Sequence, residues 1–222
     1  KGMLADLYTF IDNDPNMRRE DFLTNVLEAL EVGGKLYEIM PSFNVRTLVG
    51  KDSMLGGRKQ WTMGEFIQWS KGIPEGSRVF FDMTRDQLLE LFCTFAYEEF
   101  VDPETGACYF DTEDFKQVLQ YVNTLSNTSV WEEQDGYDEQ FYQDYSNRFR
   151  ADLAMLEEMY LSSFDSYPSW MSYTFYTEDI TMIGLPSMNG NGSAITMDSM
   201  NFAISAKSPV IDGAWDFVSY FL

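Results

Sequence analysis

The strongest constraint on the fold is an alternation, along the whole chain, between short apolar segments and amphipathic segments. The clearest helical signal comes from Phe115, Val118, Leu119, Val122 and Leu125, which recur at helical spacing and share one face. Short apolar runs bounded by glycine, proline or aspartate indicate strands between such helices. This alternation predicts an α/β or mixed-sheet architecture, and 222 residues suffice to bury a large core.

Helix starts are predicted from caps, and strands from short apolar runs. Thr62 with Glu65, and Thr84 with Gln87, have the spacing of capping boxes. Helices are predicted over residues 18–30, 62–69 and 137–149, after Thr84, after Asp111 or Thr112, and after Pro209. Strands are predicted over residues 35–40, 45–49, 78–81, 153–156, 180–186 and 201–205.

The charge of the chain argues against two classes of partner. Asp and Glu number 36 and Lys and Arg number 15, which gives a formal net charge of −21. A surface this negative repels phosphate backbones and acidic lipid headgroups. We therefore expect neither nucleic-acid binding nor electrostatic binding to a membrane.

Histidine is absent, which removes several kinds of chemistry. Ser-His-Asp and Cys-His nucleophile systems, the usual catalytic zinc sets and a histidine pH switch are excluded. Cys93 and Cys108 form no CxxC pair, so we expect two free buried thiols, with a disulfide as the alternative. Residues 12–14 (DND) lack the downstream glycine and glutamate of a calcium loop. We expect no metal and no cofactor.

Seven segments carry a family resemblance when they are taken in order. They are residues 4–7 (LADL), 34–41 (GKLYEIMP), 61–66 (WTMGEF), 154–155 (AM), 183–186 (IGLP), 202–205 (FAIS) and 212–217 (DGAWDF). In order and spacing they resemble the midsection of bacterial extracellular solute-binding proteins of ABC importers, the family 1 group that includes maltose-binding protein.

The resemblance implies an α/β, periplasmic-binding-protein-like fold of class II, with two lobes joined by crossing strands and here truncated at both ends. Residues 1–45 with 197–222 would form a partial first lobe, and residues 46–196 the second lobe. Crossing strands would lie at residues 44–49 and near residue 195. We expect a fragment of a longer chain that, on its own, binds its ligand poorly.

The resemblance also implies a function, and the protein would not be an enzyme. It would be the extracellular or periplasmic substrate-binding component of an ABC transporter, capturing a small solute, a sugar or oligosaccharide, by hinge closure. The ABC permease subunits would receive that ligand. The full-length protein would be a lipoprotein on the cell surface, held to the membrane only through an anchor absent from this chain.

Two pairs of residues lie where the resemblance places ligand contacts. Phe43 and Asn44 precede the first crossing strand, where a ring can stack on a sugar and an amide can bond hydroxyl groups. The alternative for Phe43 is a core position. Glu157 and Tyr160 follow the strand at 153–156, after which family members place an aromatic contact. Glu157 and its neighbour Glu158 depart from that pattern and indicate either a polyol or cationic ligand or a solvated face.

Three further residues are candidates for ligand binding. Thr84 and Arg85 start a helix after a strand, at the edge where α/β clefts bind ligands. The alternative is that Thr84 is only an N-cap and that Arg85 lies in solvent. Trp170 lies in an aromatic-rich segment that forms either a stacking surface or a packed lid.

Two other functions are open from the sequence. A carboxylate-dependent enzyme resembling glycoside hydrolases needs no histidine and would pair Glu157 with a second carboxylate such as Asp82. Such a pair requires a separation of about 5 to 10 Å across a pocket, and one raised pKa. A non-catalytic surface interaction domain would instead have no cleft and a contiguous exposed apolar patch.

Overall fold

The computed structural model describes residues 2–102, 105–163, 165, 167–168, 175, 178–188, 190, 194–197 and 200–222. The chain separates into two compact units, Lys1–Asn44 with Ile195–Leu222, and Val45–Ala194. Within the described residues, the helices are α1 (Tyr8–Ile11), α2 (Thr24–Leu30), α3 (Asp52–Leu55), α4 (Met63–Ser70), α5 (Arg85–Phe95), α6 (Tyr97–Phe100), α7 (Glu113–Val122), α8 (Glu139–Asn147) and α9 (Ile211–Ser219). The strands of the same residues are β1 (Glu31–Val32), β2 (Lys35–Leu36), β3 (Phe43–Lys51), β4 (Leu156–Leu161), β5 (Ile180–Met182) and β6 (Ala194–Met197).

The smaller unit, Lys1–Asn44 with Ile195–Leu222, has its own hydrophobic core. The antiparallel pair β1–β2 and bridges between residues 4 and 205 and between 39 and 202 join distant parts of the chain. Ile39 and Phe202 exchange two backbone hydrogen bonds, of 2.9 and 2.8 Å. The core contains side chains of α1, α2 and α9, including Tyr8, Leu27 and Trp215.

The larger unit, Val45–Ala194, contains a sheet in the order β4-β3-β5, with antiparallel neighbours. Alternation along the strands gives the sheet two buried faces. Leu48 and Leu156 lie on one face and join the main core cluster. Val49 and Met159 lie on the other and pack with Phe149 in a second cluster. Both passages of the chain between the two units fall within strands, β3 and β6.

Aromatic side chains of α4, α5 and α7 fill the main core of the larger unit. Phe66 makes edge-to-face contacts with Trp61, Phe92 and Tyr121, with ring centroids 5.1 to 5.7 Å apart. Such arrangements place the positive ring edge against a negative ring face. The indole of Trp61 donates a hydrogen bond to the Gly184 carbonyl at 3.2 Å, so its buried polar atom is satisfied.

Several local predictions are confirmed. Thr62 and Thr84 are the N-caps of α4 and α5, and both capping boxes are complete. Thr112 caps α7, and residues 45–49 lie within β3. A separate finding is that none of the helices among the described residues has the length and hydrophobicity of a membrane-spanning segment.

Other local predictions are wrong. Residues 18–30 do not form one helix, because Leu23 is extended and separates a 3-10 turn (Arg19–Asp21) from α2. The strand predicted at 153–156 begins only at its last residue and continues to Leu161. Cys93 and Cys108 are free thiols as expected, but neither is buried, because Cys93 is half-buried and Cys108 is exposed.

Candidate ligand-binding site

A polar groove in the larger unit lies beside residues 80–83. It consists of two adjacent cavities of about 210 and 250 Å³, which share Asp82, Met83 and Glu158 in their walls. We call it the Asp82 groove. The remaining wall residues are Phe80, Phe81, Tyr145, Arg148, Leu156 and Glu157 in the first cavity, and Arg46, Gln87, Glu90 and Leu91 in the second.

The path of the chain creates this groove at the edge of β4. Arg78 forms a parallel bridge with Ala154, and the Leu156 amide donates a 2.9 Å hydrogen bond to the Val79 carbonyl. The chain then turns toward the N-cap of α5, and Asp82 accepts a 2.9 Å hydrogen bond from the Val130 amide. The groove therefore lies where the chain, after pairing with the start of β4, leaves that strand toward α5.

One wall of the groove carries the ion pair between Arg46 and Glu158. Arg46 lies opposite Tyr160 in the β3–β4 register, and Glu158 lies opposite Leu48. The Arg46 guanidinium donates to the Glu158 carboxylate and lies 4.9 Å from the centroid of the Tyr160 ring. Tyr160 itself is about half exposed, with 49% of its surface accessible. Partial burial, and then the Glu158 charge, raise the pKa of the Tyr160 hydroxyl.

The other wall carries a second ion pair, between Arg148 and Glu157. Arg148 Nη2 lies 3.2 Å from Glu157 Oε1, and the guanidinium stacks 4.1 Å from the Tyr145 ring centroid. It also donates to the Tyr145 carbonyl at 2.6 Å. Burial raises the pKa of the Glu157 carboxyl, an effect that the charge of Arg148 opposes. The groove therefore holds two arginine–glutamate pairs with an aromatic ring beside each arginine.

The candidates from the sequence are distributed unevenly around this groove. Glu157 lines it, and Tyr160 contacts Arg46, which lines it. Thr84 and Arg85 are not among its wall residues in the described part of the chain. The Thr84 hydroxyl accepts from the Gln87 amide as the N-cap of α5. The Arg85 guanidinium donates to the Leu125 carbonyl at 3.3 Å.

The other three candidates lie elsewhere. Phe43 and Asn44 are the half-buried first residues of β3 and belong to the smaller unit. Trp170 lies outside the described residues. A ligand role for each of these residues, and for Thr84 and Arg85, stays a prediction.

Sequence reasoning missed the two arginines of the groove and an aromatic cluster near it. The Trp131 ring lies 4.7 Å from the Tyr145 ring and 4.9 Å from the Phe141 ring. Trp131, which lies in the polar and acidic segment 126–138, anchors this cluster. The signal for it was the spacing of Phe141 and Tyr145, four positions apart on a predicted helix.

The carboxylates proposed for an enzyme also meet in this groove. Asp82 and Glu157 line the same cavity, and the pKa of Glu157 is raised mainly by burial. Both are already engaged, however, because Asp82 accepts from the Val130 amide and Glu157 pairs with Arg148.

Solved structures align with nearly the whole chain. The sugar-binding protein MalE from Xanthomonas citri aligns with a TM-score of 0.55 and 14% identity, over 99% of this chain and 56% of its own. RafE from Streptococcus pneumoniae aligns with a TM-score of 0.53 and 16% identity, over 99% and 57%. A family 1 extracellular solute-binding protein from Alicyclobacillus acidocaldarius aligns with a TM-score of 0.52 and 14% identity, over 100% and 56%. No protein-family model and no curated protein matches the sequence.

The fold is therefore the class II periplasmic-binding-protein-like α/β fold of ABC solute-binding proteins. The resemblance inferred from the seven segments is confirmed at the level of the fold. The chain spans 56% of the length of MalE from X. citri. Identities of 14 to 16% establish the fold alone.

Proposed function

We propose that this chain is part of the extracellular or periplasmic substrate-binding component of an ABC transporter, and that it captures a sugar or oligosaccharide without catalysis. The fold shared with sugar-binding MalE over 99% of the chain carries this proposal. Hinge closure between two lobes, delivery to permease subunits and attachment through a lipid anchor belong to the same proposal. We assign residues 1–45 with 197–222 to the first lobe and residues 46–196 to the second.

The chemistry of the Asp82 groove supports a neutral, hydroxyl-rich ligand. Each acidic side chain of the pair Glu157 and Glu158 is matched by an arginine, Arg148 and Arg46 respectively. A cationic ligand would have to displace those arginines, whereas hydroxyl groups can bond the remaining donors and acceptors of both ion pairs. The half-exposed Tyr160 ring supplies an apolar face on which a sugar ring can stack.

The binding experiment is saturation-transfer difference NMR on the purified protein, a method that detects weak binding. Neutral mono- and oligosaccharides are compared with glucosamine and with free amino acids. We expect transfer to one or more neutral sugars and weaker transfer to glucosamine. Transfer to amino acids alone, or to no sugar, would contradict the proposal.

Matched variants locate the site. Tyr160→Ala removes the exposed ring next to Arg46 and should weaken binding of the same sugar at least tenfold. Tyr109→Ala is the control, because Tyr109 has a similar exposed fraction but its backbone pairs with Phe100, which is not a wall residue, whereas Tyr160 contacts the wall residue Arg46. If the two variants bind the sugar with equal affinity, Tyr160 is not a ligand contact. Trp170→Ala and Phe43→Ala test the sequence-based candidates in the same way.

A glycoside hydrolase-like activity is the second candidate, because Asp82 and Glu157 share a cavity and the pKa of Glu157 is raised. Incubating the protein with nitrophenyl glycosides and natural oligosaccharides distinguishes the two functions. We expect binding without release of reducing ends. Turnover that disappears in both Asp82→Asn and Glu157→Gln would establish the enzyme instead.

A further inference from the structure

A second cavity of about 460 Å³ lies in the larger unit, bounded by the end of α7 and residues 124–130. It shares the segment 80–83 with the Asp82 groove, but no residue of β4 is in its wall. The wall is mainly apolar and includes Ile73, Val79, Phe80, Leu125 and Val130. We call it the Tyr121 cavity, because the Tyr121 side chain joins this wall to the main core. Its volume lies in the range of about 300 to 1,000 Å³ that is typical of small-molecule sites.

The wall of the Tyr121 cavity carries more basic than acidic side chains, whereas the chain as a whole is acidic. Lys71 and Arg78 line it, and both are exposed. Within the described part of the chain, neither forms an ion pair, although acidic residues outnumber basic ones 36 to 15. The Arg78 guanidinium has one long contact, 3.5 Å to the Phe81 carbonyl. Asp82 is the one carboxylate among the wall residues, and it accepts from the Val130 amide.

The remaining polar groups of the cavity are hydroxyls. Burial raises the pKa of Tyr121 to about 12, and this phenol shares a hydrogen bond with the Ser70 side chain. Ser70, Ser77 and Thr124 also contribute to the wall, and their hydroxyls donate to the backbone carbonyls of Ile67, Asp152 and Tyr121 respectively. An apolar cavity with two cations at its wall matches a molecule that has a hydrocarbon body and one anionic end.

We propose that the Tyr121 cavity binds a small amphipathic carboxylic acid, with its hydrocarbon part against Phe80, Leu125 and Val130 and its carboxylate at Lys71 and Arg78. This site adjoins the proposed sugar site through residues 80–83, but Lys71 and Arg78 line only the Tyr121 cavity, and the inference does not depend on the proposed function. The apolar wall provides the hydrophobic contribution, and the two cations select against neutral and cationic molecules of the same shape.

The test uses phenylacetate as the probe and methyl-detected NMR on the protein. Phenylacetate should shift the methyl resonances of Ile73, Val79, Leu125 and Val130, and it should bind at least tenfold more tightly than the isosteric neutral phenylacetamide. The double variant Lys71→Gln/Arg78→Gln should reduce phenylacetate affinity to the level of phenylacetamide. Lys116→Gln is the control, because Lys116 pairs with Glu113 on α7 and is not a wall residue.

Two results would overturn the proposal. One is equal affinity for phenylacetate and phenylacetamide, with no effect of the double variant. The other is no shift of these methyl groups at any accessible concentration. Thr124→Trp provides a steric check, since Thr124 is exposed in the wall and a large ring there should block binding. Lys71 and Arg78 are both exposed, so the double variant should fold normally. The affinity comparison therefore stays decisive even if Thr124→Trp fails to fold.

Discussion

At the residue scale, Glu157 is the clearest case of a side chain whose surroundings set its properties. Burial raises its pKa, and Arg148 at 3.2 Å opposes that shift. Arg148→Gln leaves the partly buried carboxylate without its cation and should lower the free energy of unfolding at pH 7 by about 2 kcal/mol. Chemical denaturation of both proteins measures the difference. A loss below about 0.5 kcal/mol would mean that water replaces Arg148 at no cost.

The raised pKa also predicts how stability depends on pH. The folded protein holds the Glu157 proton more tightly than the unfolded chain, whose glutamate pKa is about 4.3. The stabilisation from this group is therefore complete below that value and is lost as the pH rises through the raised folded pKa. Relative to Glu157→Gln, the wild-type protein should lose stability between acidic and neutral pH. Denaturation at several pH values tests this, with Glu75→Gln, an exposed position, as the surface-charge control. A pH-independent difference would refute it.

At the element scale, two glycines should respond to alanine in opposite ways. A Cβ atom on Gly50 in β3 would lie 2.8 Å from the Met155 carbonyl oxygen and 3.0 Å from a Leu156 methyl group. Gly50→Ala must therefore move β4 and should destabilise the larger unit by about 1 to 3 kcal/mol. Gly64 in α4 has open space around it, so Gly64→Ala should gain up to about 1 kcal/mol of helix propensity. Thermal denaturation of both variants measures the two changes in stability. Destabilisation by Gly64→Ala would contradict the prediction of opposite effects.

Thr84 is the N-cap of α5 and also a predicted ligand contact, and substitutions distinguish these two roles. Its hydroxyl accepts from the Gln87 amide, and the Gln87 side chain accepts from the Thr84 amide. Thr84→Ala should lower the free energy of unfolding by about 1 kcal/mol, and Thr84→Ser should restore it, because serine caps equally well. Sugar affinity measured on the same variants tests the ligand role. If Thr84→Ala binds the sugar with unchanged affinity, Thr84 acts only as the N-cap and not as a ligand contact.

Elements were predictable from the sequence where their signal is local. Capping boxes and the apolar stripe of α7 depend on residues three or four positions apart, so the sequence alone located α4, α5 and α7. The extent of β4 was not predictable. Glu157 and Glu158 interrupt its apolar pattern and would mark its end. They are accommodated in a strand because Arg148 and Arg46 pair with them.

At the scale of the whole molecule, the candidate site was only partly predictable, because distant segments build it. Arg46 and Glu158 are 112 positions apart, and Asp82 and Val130 are 48 apart. Sequence reasoning named Glu157, which lines the groove, and Tyr160, which contacts the wall residue Arg46, through a motif order that resembles a family; their ligand role stays a prediction. Nothing local marked Arg46 as their neighbour, because its place next to Tyr160 follows from the β3–β4 register.

The separate hydrophobic cores of the smaller and larger units predict which parts of the chain unfold together. The core around Tyr8, Leu27 and Trp215 and the core around Phe66 share no residue among those described, and each lies within one unit. Because unfolding of one core need not expose the other, we expect each unit to unfold locally by itself. Ile39 is 2% exposed, and Ile39→Ala should cost about 2 to 4 kcal/mol. Native-state hydrogen exchange should show faster exchange throughout α1, α2 and α9, with rates in α5 and α7 unchanged. Equal acceleration in α5 would show that the two units unfold as one cooperative body.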